Sequence, residues 1–280
     1  MAGWIILLLV VAAAVGLYLF ALAPGKDRRP SMKPFQSVYI AHRGLFDNKS
    51  DHPENSMKAF SRAVEEGYGI ELDVQMTTDG QLVVFHDDTL KRMCGSKKMV
   101  TECSLQELSS QRLLKSQEKI PLLGDVLARI GGRVPLIVEI KSAGDWRTTT
   151  EKTAQMLDQY HGIYCVESFH PLIVAWFRRN RPHVIRGQLS TNLFRSKASR
   201  SPAENFLVTN LLTDFLARPD FIAYNHKYAD QFSFRLLRRL FPVTAVAWTI
   251  KNQEQLEKAK KDFSVFIFDS FLPKSMDERL

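Results

Sequence analysis

Cysteine is scarce: only Cys94, Cys103 and Cys165 occur in 280 residues. An odd, small number excludes a disulfide framework, and the lack of CxxC or Cys/His spacing excludes the usual zinc sites. Such sparse usage leans toward a reducing compartment. No GxGxxG follows any apolar run, which argues against an open dinucleotide-binding sheet. No RNP-like, Cys/His-finger or helix-turn-helix pattern occurs, so nucleic acid is the weakest of the anionic partners and is not expected. There is no internal repeat and no low-complexity tract.

Apolar residues, in contrast, make up 45% of the chain and charged residues 24%, as in a folded protein with a sizeable core. The net charge is +8 and the pI near 9.4. That balance suits anionic lipid or phosphorylated small molecules, and a basic solvated surface accounts for it equally well.

Charge is absent from Trp4 to Ala23, twenty residues in a row. As a helix this run spans about 30 Å of hydrocarbon. Ala21-Leu22-Ala23 resembles a signal-peptidase site, but no Lys or Arg precedes the run and it is long for a signal core. A retained single-pass transmembrane anchor over 1–24 is therefore expected. A basic linker over 25–36 carries Lys26, Arg28, Arg29 and Lys33. The positive-inside rule then puts the remainder, 37–280, in the cytoplasm.

From Ser37 on, short β-branched or aromatic runs alternate with amphipathic segments. Eight runs read as strands: 38–41, 69–75, 135–140, 162–167, 184–190, 220–225, 243–249 and 265–269. Their continuous apolar character suits a parallel sheet buried on both faces. "NSMKAFSRAVEEG", "LGDVLARIGG", "HPLIVAWFRRN" and "NQEQLEKAKKD" read as helices between them. Eight strand–helix units fit a closed (β/α)8 TIM barrel. Asp79-Gly80 marks a hairpin added to the second strand, and residues 91–120 form a small insertion after it, expected as a cap or substrate wall.

A barrel carries its chemistry where strands end, at the C-terminal face. Strand one ends in His42-Arg43-Gly44. Glu71 and Asp73 lie two apart on strand two, so they share a face. The hairpin ends in His86-Asp87-Asp88, strand three ends in Glu139 and Lys141, and the later strands supply Ser168, Gln188, Asn225, Trp248 and Asp269. Three buried carboxylates suit a hard cation, Mg²⁺ or Ca²⁺. The alternative is a structural cluster neutralised by Lys141 and Arg43. Two imidazoles can act as base and acid in one displacement, and Arg43 offers a fork for phosphate.

The ordered stretches "AHRG", "PENS", "GIELDVQMTTDGQLVVFHDDTLKR", "IPLLGDVL" and "VEIK" resemble the motifs of the glycerophosphodiester phosphodiesterase family. They cover about residues 38–141 densely, and "ESFHP", "GQLS" and "AVAWTIKN" match less tightly. The resemblance implies a (β/α)8 barrel that hydrolyses glycerophosphodiesters to sn-glycerol 3-phosphate and an alcohol. It implies His42 and His86 as acid/base residues and Glu71, Asp73 and Glu139 as ligands of one divalent cation. Arg43, Lys141 and Gln188 would contact substrate, with Glu54 and Asn55 bracing His42. The chain departs from the family in "FDSFLP", where the proline is delayed to Pro273, and in 191–219, which carries little of the pattern. That region reads as a helix packing on the barrel or as an apolar lip touching lipid. The rival activities are a lysophospholipase D acting at the membrane surface and a phosphatidylinositol-type phospholipase C. A catalytically dead scaffold barrel is disfavoured because every motif position is filled.

Overall fold

The computed structural model describes residues 2–25, 31–196 and 201–274. Among them are nine strands: β1 (Ile40–His42), β2 (Gly69–Met76), β3 (Leu82–Val84), β4 (Leu136–Ile140), β5 (Tyr164–Ser168), β6 (Arg186–Ser190), β7 (Phe221–Asn225), β8 (Thr244–Ile250) and β9 (Val265–Phe268). Eight run parallel in the order β1-β9-β8-β7-β6-β5-β4-β2, and β1 pairs with β2 to close the barrel. Each of the eight expected strand runs overlaps one of these parallel strands. β3 pairs antiparallel with the end of β2, so the Asp79-Gly80 turn makes the expected hairpin.

Local chemistry sets the helices. In Met57–Glu65 the Ser56 side chain accepts the Ala59 N–H, and Ala59, Phe60 and Ala63 are buried. Leu123–Ile130 ends at Gly131, whose φ of 56° is the left-handed stop that glycine adopts freely. Asp145 and Asn252 cap Trp146–Leu157 and Gln253–Ala259 in the same way.

Three apolar clusters follow from the alternation of side chains along the strands. Leu72, Val138, Val166 and Ile222 face outward beneath the helices. Ile40, Ile137, Cys165, Phe221, Val246 and Ile267 fill the N-terminal part of the interior. The insertion has a core of its own, in which Met93, Val100, Leu108 and Leu113 pack on Val83 and Phe85.

The apolar helix Ala2–Leu22 is long and apolar enough to cross a membrane. Its last turn is not free: Tyr18 Oη meets Ser233 Oγ at 2.9 Å, Leu22 is buried, and the Arg218 guanidinium donates to the carbonyls of Phe20 and Ala23. The linker is not a plain tether either. Met32 and Phe35 close the N-terminal end of the barrel, with Lys33–Gln36 forming a short helix there. Lys26, Arg28 and Arg29 lie outside the described residues.

Candidate active site

Inward-facing positions turn from apolar to acidic toward the C-terminal ends of the strands. The register sets Asp73 beside Glu139 and Glu139 beside Glu167, while Glu71 lies beside His42. One oxygen from each of Glu71, Asp73 and Glu139 falls within 4.8 Å of the others, and all three residues are buried.

Cations meet these carboxylates from two sides. Lys141 Nζ donates to Glu139 Oε1 at 2.9 Å and to Asp73 Oδ1 at 3.3 Å. Arg43 Nε lies 3.5 Å from Asp73 Oδ2, and its backbone N–H donates to Glu71 Oε2 at 3.1 Å. Arg43 holds a left-handed φ of 55°, which turns the chain inward after β1. Gly44 follows at φ 82°, and a Cβ there would lie 2.9 Å from the Ala59 carbonyl carbon. Only glycine fits that approach of loop to helix.

The PEN turn braces this arrangement. Asn55 Nδ2 donates to Asp73 Oδ2 at 2.9 Å, and Glu54 accepts from Arg43 Nη1 at 2.5 Å. Glu54 also takes both terminal nitrogens of Arg92, at 2.7 Å each. Glu54 and Asn55 therefore hold Arg43 and Asp73 rather than His42. The partner of His42 is Asp269, just after β9, whose Oδ2 lies 3.0 Å from Nδ1. His42 Nε2 stands 4.0 Å from Glu71 Oε2.

His86 sits nearer the mouth, with Nδ1 at 2.7 Å from Asp87 Oδ1, and Arg92 binds the same carboxylate. His86, Glu139, Lys141, Ser168 and Phe169 line a cavity of about 270 Å³. Asp269 lines a second, larger one of about 700 Å³ together with Gly44, Phe46 and Phe271. Gln188 is not among these groups. The alternation that turns Gly187 and Leu189 into the barrel turns Gln188 outward, where its amide donates to the carbonyls of Ser168, Phe169 and Leu189. It holds the end of β5 and reaches the cavity only through that backbone.

Burial shapes the titration of the cluster. Desolvation, then repulsion from Asp73 and Glu139, pushes the Glu71 carboxyl well up. Burial raises Glu139 as well, with Lys141 opposing, and raises Glu167 well above its usual range. Burial also works against Asp73, but Lys141, His86 and Arg43 outweigh it and hold that carboxyl down. Burial and then Arg43 lower His42 despite Asp269, so its imidazole is neutral at neutral pH.

Four buried carboxylates (Glu71, Asp73, Glu139 and Glu167) thus face two partly exposed cations, Lys141 and Arg43. These two cations hold Asp73 ionised but do not offset the burial and mutual repulsion that raise Glu71, Glu139 and Glu167. A hard dication would let all of them ionise, and an all-oxygen donor set is the kind that suits Mg²⁺ or Ca²⁺. Asp269 stood out in the sequence only as the polar end of the last strand, with no role given to it, and Glu167 and Arg92 were not anticipated as site residues. Asp269 and Glu167 carried the same usable signal, a charged residue closing an apolar strand run.

The model of the glycerophosphoryl diester phosphodiesterase family matches residues 42–264. A glycerophosphodiester phosphodiesterase of Bacillus altitudinis is 35% identical over 157 residues, 52% of this chain and 63% of that protein. The enzyme of the same name from Caldanaerobacter subterraneus is 44% identical over 165 residues, 55% of this chain and 67% of the relative. An Oleispira antarctica phosphodiesterase, solved in complex with the product sn-glycerol-3-phosphate, superposes with a TM-score of 0.70 at 21% identity. That alignment covers 86% of this chain and 96% of the neighbour, and it bears on the fold.

Proposed function

Since the chain belongs to the glycerophosphoryl diester phosphodiesterase family, we propose that it hydrolyses glycerophosphodiesters to sn-glycerol 3-phosphate and an alcohol at the mouth of its barrel. The observation that carries this reading is the meeting of the three carboxylates within 4.8 Å, with His42 Nε2 at 4.0 Å from Glu71.

Glu71, Asp73 and Glu139 would hold one divalent cation. Held there, it would supply Lewis acidity toward a phosphate oxygen and toward a neighbouring hydroxyl. Arg43 and Lys141 bind the remaining phosphate charge; preorganised cations at a water-poor site are worth more than in water. Asp269 accepts the Nδ1–H of His42, which leaves the Nε2 lone pair to take the proton of the nucleophile, either water itself or the neighbouring glycerol hydroxyl, whose cyclic phosphate water then opens. His86 is more open to solvent, and Asp87 at Nδ1 turns its Nε2–H toward the leaving alcohol. The base is thus buried and the acid lies where an alcohol can depart.

The test is a hydrolysis screen followed by phosphorus NMR, with glycerophosphocholine and a lysophospholipid as substrates, each with Mg²⁺, Ca²⁺ or chelator. The expected result is a dication-dependent signal of glycerol 3-phosphate or its acylated form. A cyclic inositol phosphate from an inositol lipid would instead favour the phospholipase C reaction. Turnover untouched by chelation would overturn the metal.

A further inference from the structure

We propose that the catalytic end of the barrel rests on the lipid bilayer. An apolar rim of Leu172, Phe194, Phe206, Leu207, Phe232 and Leu272 sits in the interface, so diesters carried by membrane lipids reach the site without leaving the surface. The substrate half of this statement rests on the proposed diesterase activity; the orientation does not.

The path of the chain carries the orientation. Tyr18 bonds to Ser233, in the first turn of Phe232–Leu240, the helix that follows β7 and so starts at the catalytic end. Seven residues on, the Gly25 N–H donates to the carbonyl of Pro219, just before β7 begins at the opposite end. Between them Arg218 clasps the carbonyls of Phe20 and Ala23 and lies 4.4 Å over the Phe20 ring. The chain therefore descends the flank of the barrel from the catalytic end to the N-terminal end. Followed backwards, the apolar helix emerges past the catalytic end, and Gly3–Leu17 stand exposed, clear of the barrel. Fifteen or so residues reach about 24 Å, most of a hydrocarbon core. A helix fixed at its foot in this way brings the bilayer to the mouth of the barrel.

The distribution of exposed apolar side chains agrees. Outside the anchor helix, nine large hydrophobics are exposed among the described residues. Six of them are the rim residues. Leu172 follows β5, Phe194 follows β6, Phe232 follows β7 and Leu272 follows β9. Phe206 and Leu207 lie on Pro202–Thr209, level with the end of β6, where Ser190 Oγ donates to the Val208 carbonyl. Of the other three, Phe215 sits against the Phe20 ring at 6.1 Å, and Ile163 and Leu240 lie at the N-terminal end. Scattered exposed apolar residues are ordinary, but a one-ended set next to a membrane-spanning helix marks an interfacial face.

The test uses the full chain in phosphatidylcholine–phosphatidylglycerol liposomes, in a Cys94→Ser background. Nitroxide labels are attached at Phe206→Cys and Phe232→Cys and, separately, at Ile163→Cys and Leu240→Cys. Collision with oxygen, which partitions into lipid, is compared with collision with a water-soluble nickel chelate. The expected oxygen-to-nickel ratio is severalfold higher at 206 and 232 than at 163 and 240. Equal ratios, or the reverse order, overturn the orientation. In parallel, Phe206→Asp combined with Phe232→Asp is expected to lower hydrolysis of a liposome-borne lysophospholipid about tenfold relative to soluble glycerophosphocholine. An unchanged ratio of rates overturns the substrate half. A wild-type chain that hydrolyses neither compound contradicts the proposed activity, while the label ratios still decide the orientation.

Discussion

His42 and Asp269 are 227 positions apart in the chain and 3.0 Å apart at the barrel mouth. Their pairing favours the His42 tautomer with a proton on Nδ1 and raises the imidazole pKa against the pull of burial. Asp269→Asn is therefore expected to reduce kcat and to move the acid limb of the pH–rate profile to lower pH, because the charge that favoured the imidazolium is gone. An unshifted limb would detach Asp269 from His42. Replacing His42 or His86 by Ala is expected to cost about 10²–10⁴ in turnover, with an unchanged thermal midpoint. Near-full turnover in either variant would end its catalytic role. Glu54 offers a test in the stability of the fold. Burial opposes its ionisation, yet hydrogen bonds from Arg92 and the charge of Arg43 hold it at about 2. Its folded pKa lies below the unfolded value, so it stabilises the fold above about pH 4.5, by about 2–3 kcal/mol, and loses that contribution as the pH falls toward 2. Urea unfolding should find Glu54→Gln weaker than wild type at pH 7 and nearly equal to it at pH 2; a constant difference would contradict this.

At the scale of elements, the strand pattern explains what the sequence could and could not reveal. Glu71 and Asp73 were legible because a two-residue spacing on a strand puts both on one face, and the parallel ladder then brings in Glu139. Gln188 was not, because a shift of one residue turns a side chain to the opposite face of the sheet. Asp269 joins His42 only through closure of β9 onto β1, a tertiary contact that no local pattern records. Glu167 ends an apolar run, but no second acidic residue on that strand marked it as part of a site. The insertion was legible as an excursion, but its delivery of Arg92 to Glu54 and Asp87 depends on how its own core folds. Gly187 tests the closeness of β6 and β7. A Cβ there would lie 2.1 Å from the Phe221 ring, deep in the barrel. Gly187→Ala is expected to cost about 1–3 kcal/mol of stability through overpacking. A thermal midpoint equal to wild type would mean that the interior yields at that layer.

At the scale of the whole molecule, one barrel joins an acidic pocket to an apolar helix whose last turn is fixed on its flank. Both the strand count and the uncharged N-terminal run were evident from sequence, because periodicity and length are local properties. The seat of the helix between Ser233 and Pro219 was not, since it depends on where two distant segments end. The account stands on the cage of acidic oxygens. Without a cation, burial and mutual repulsion keep Glu71 and Glu139 protonated above their usual range. A dication that takes these groups as carboxylates expels whatever protons they still hold, so affinity is expected to rise with pH across the range where they titrate. The most direct measurement is titration calorimetry of Mg²⁺ and Ca²⁺ into the chelator-treated full chain, in buffers of different ionisation enthalpy. The account predicts one saturable site, with net proton release, that disappears when Glu71→Gln, Asp73→Asn and Glu139→Gln are combined. Saturable binding that survives the triple substitution, or no binding to the wild-type chain, would contradict it.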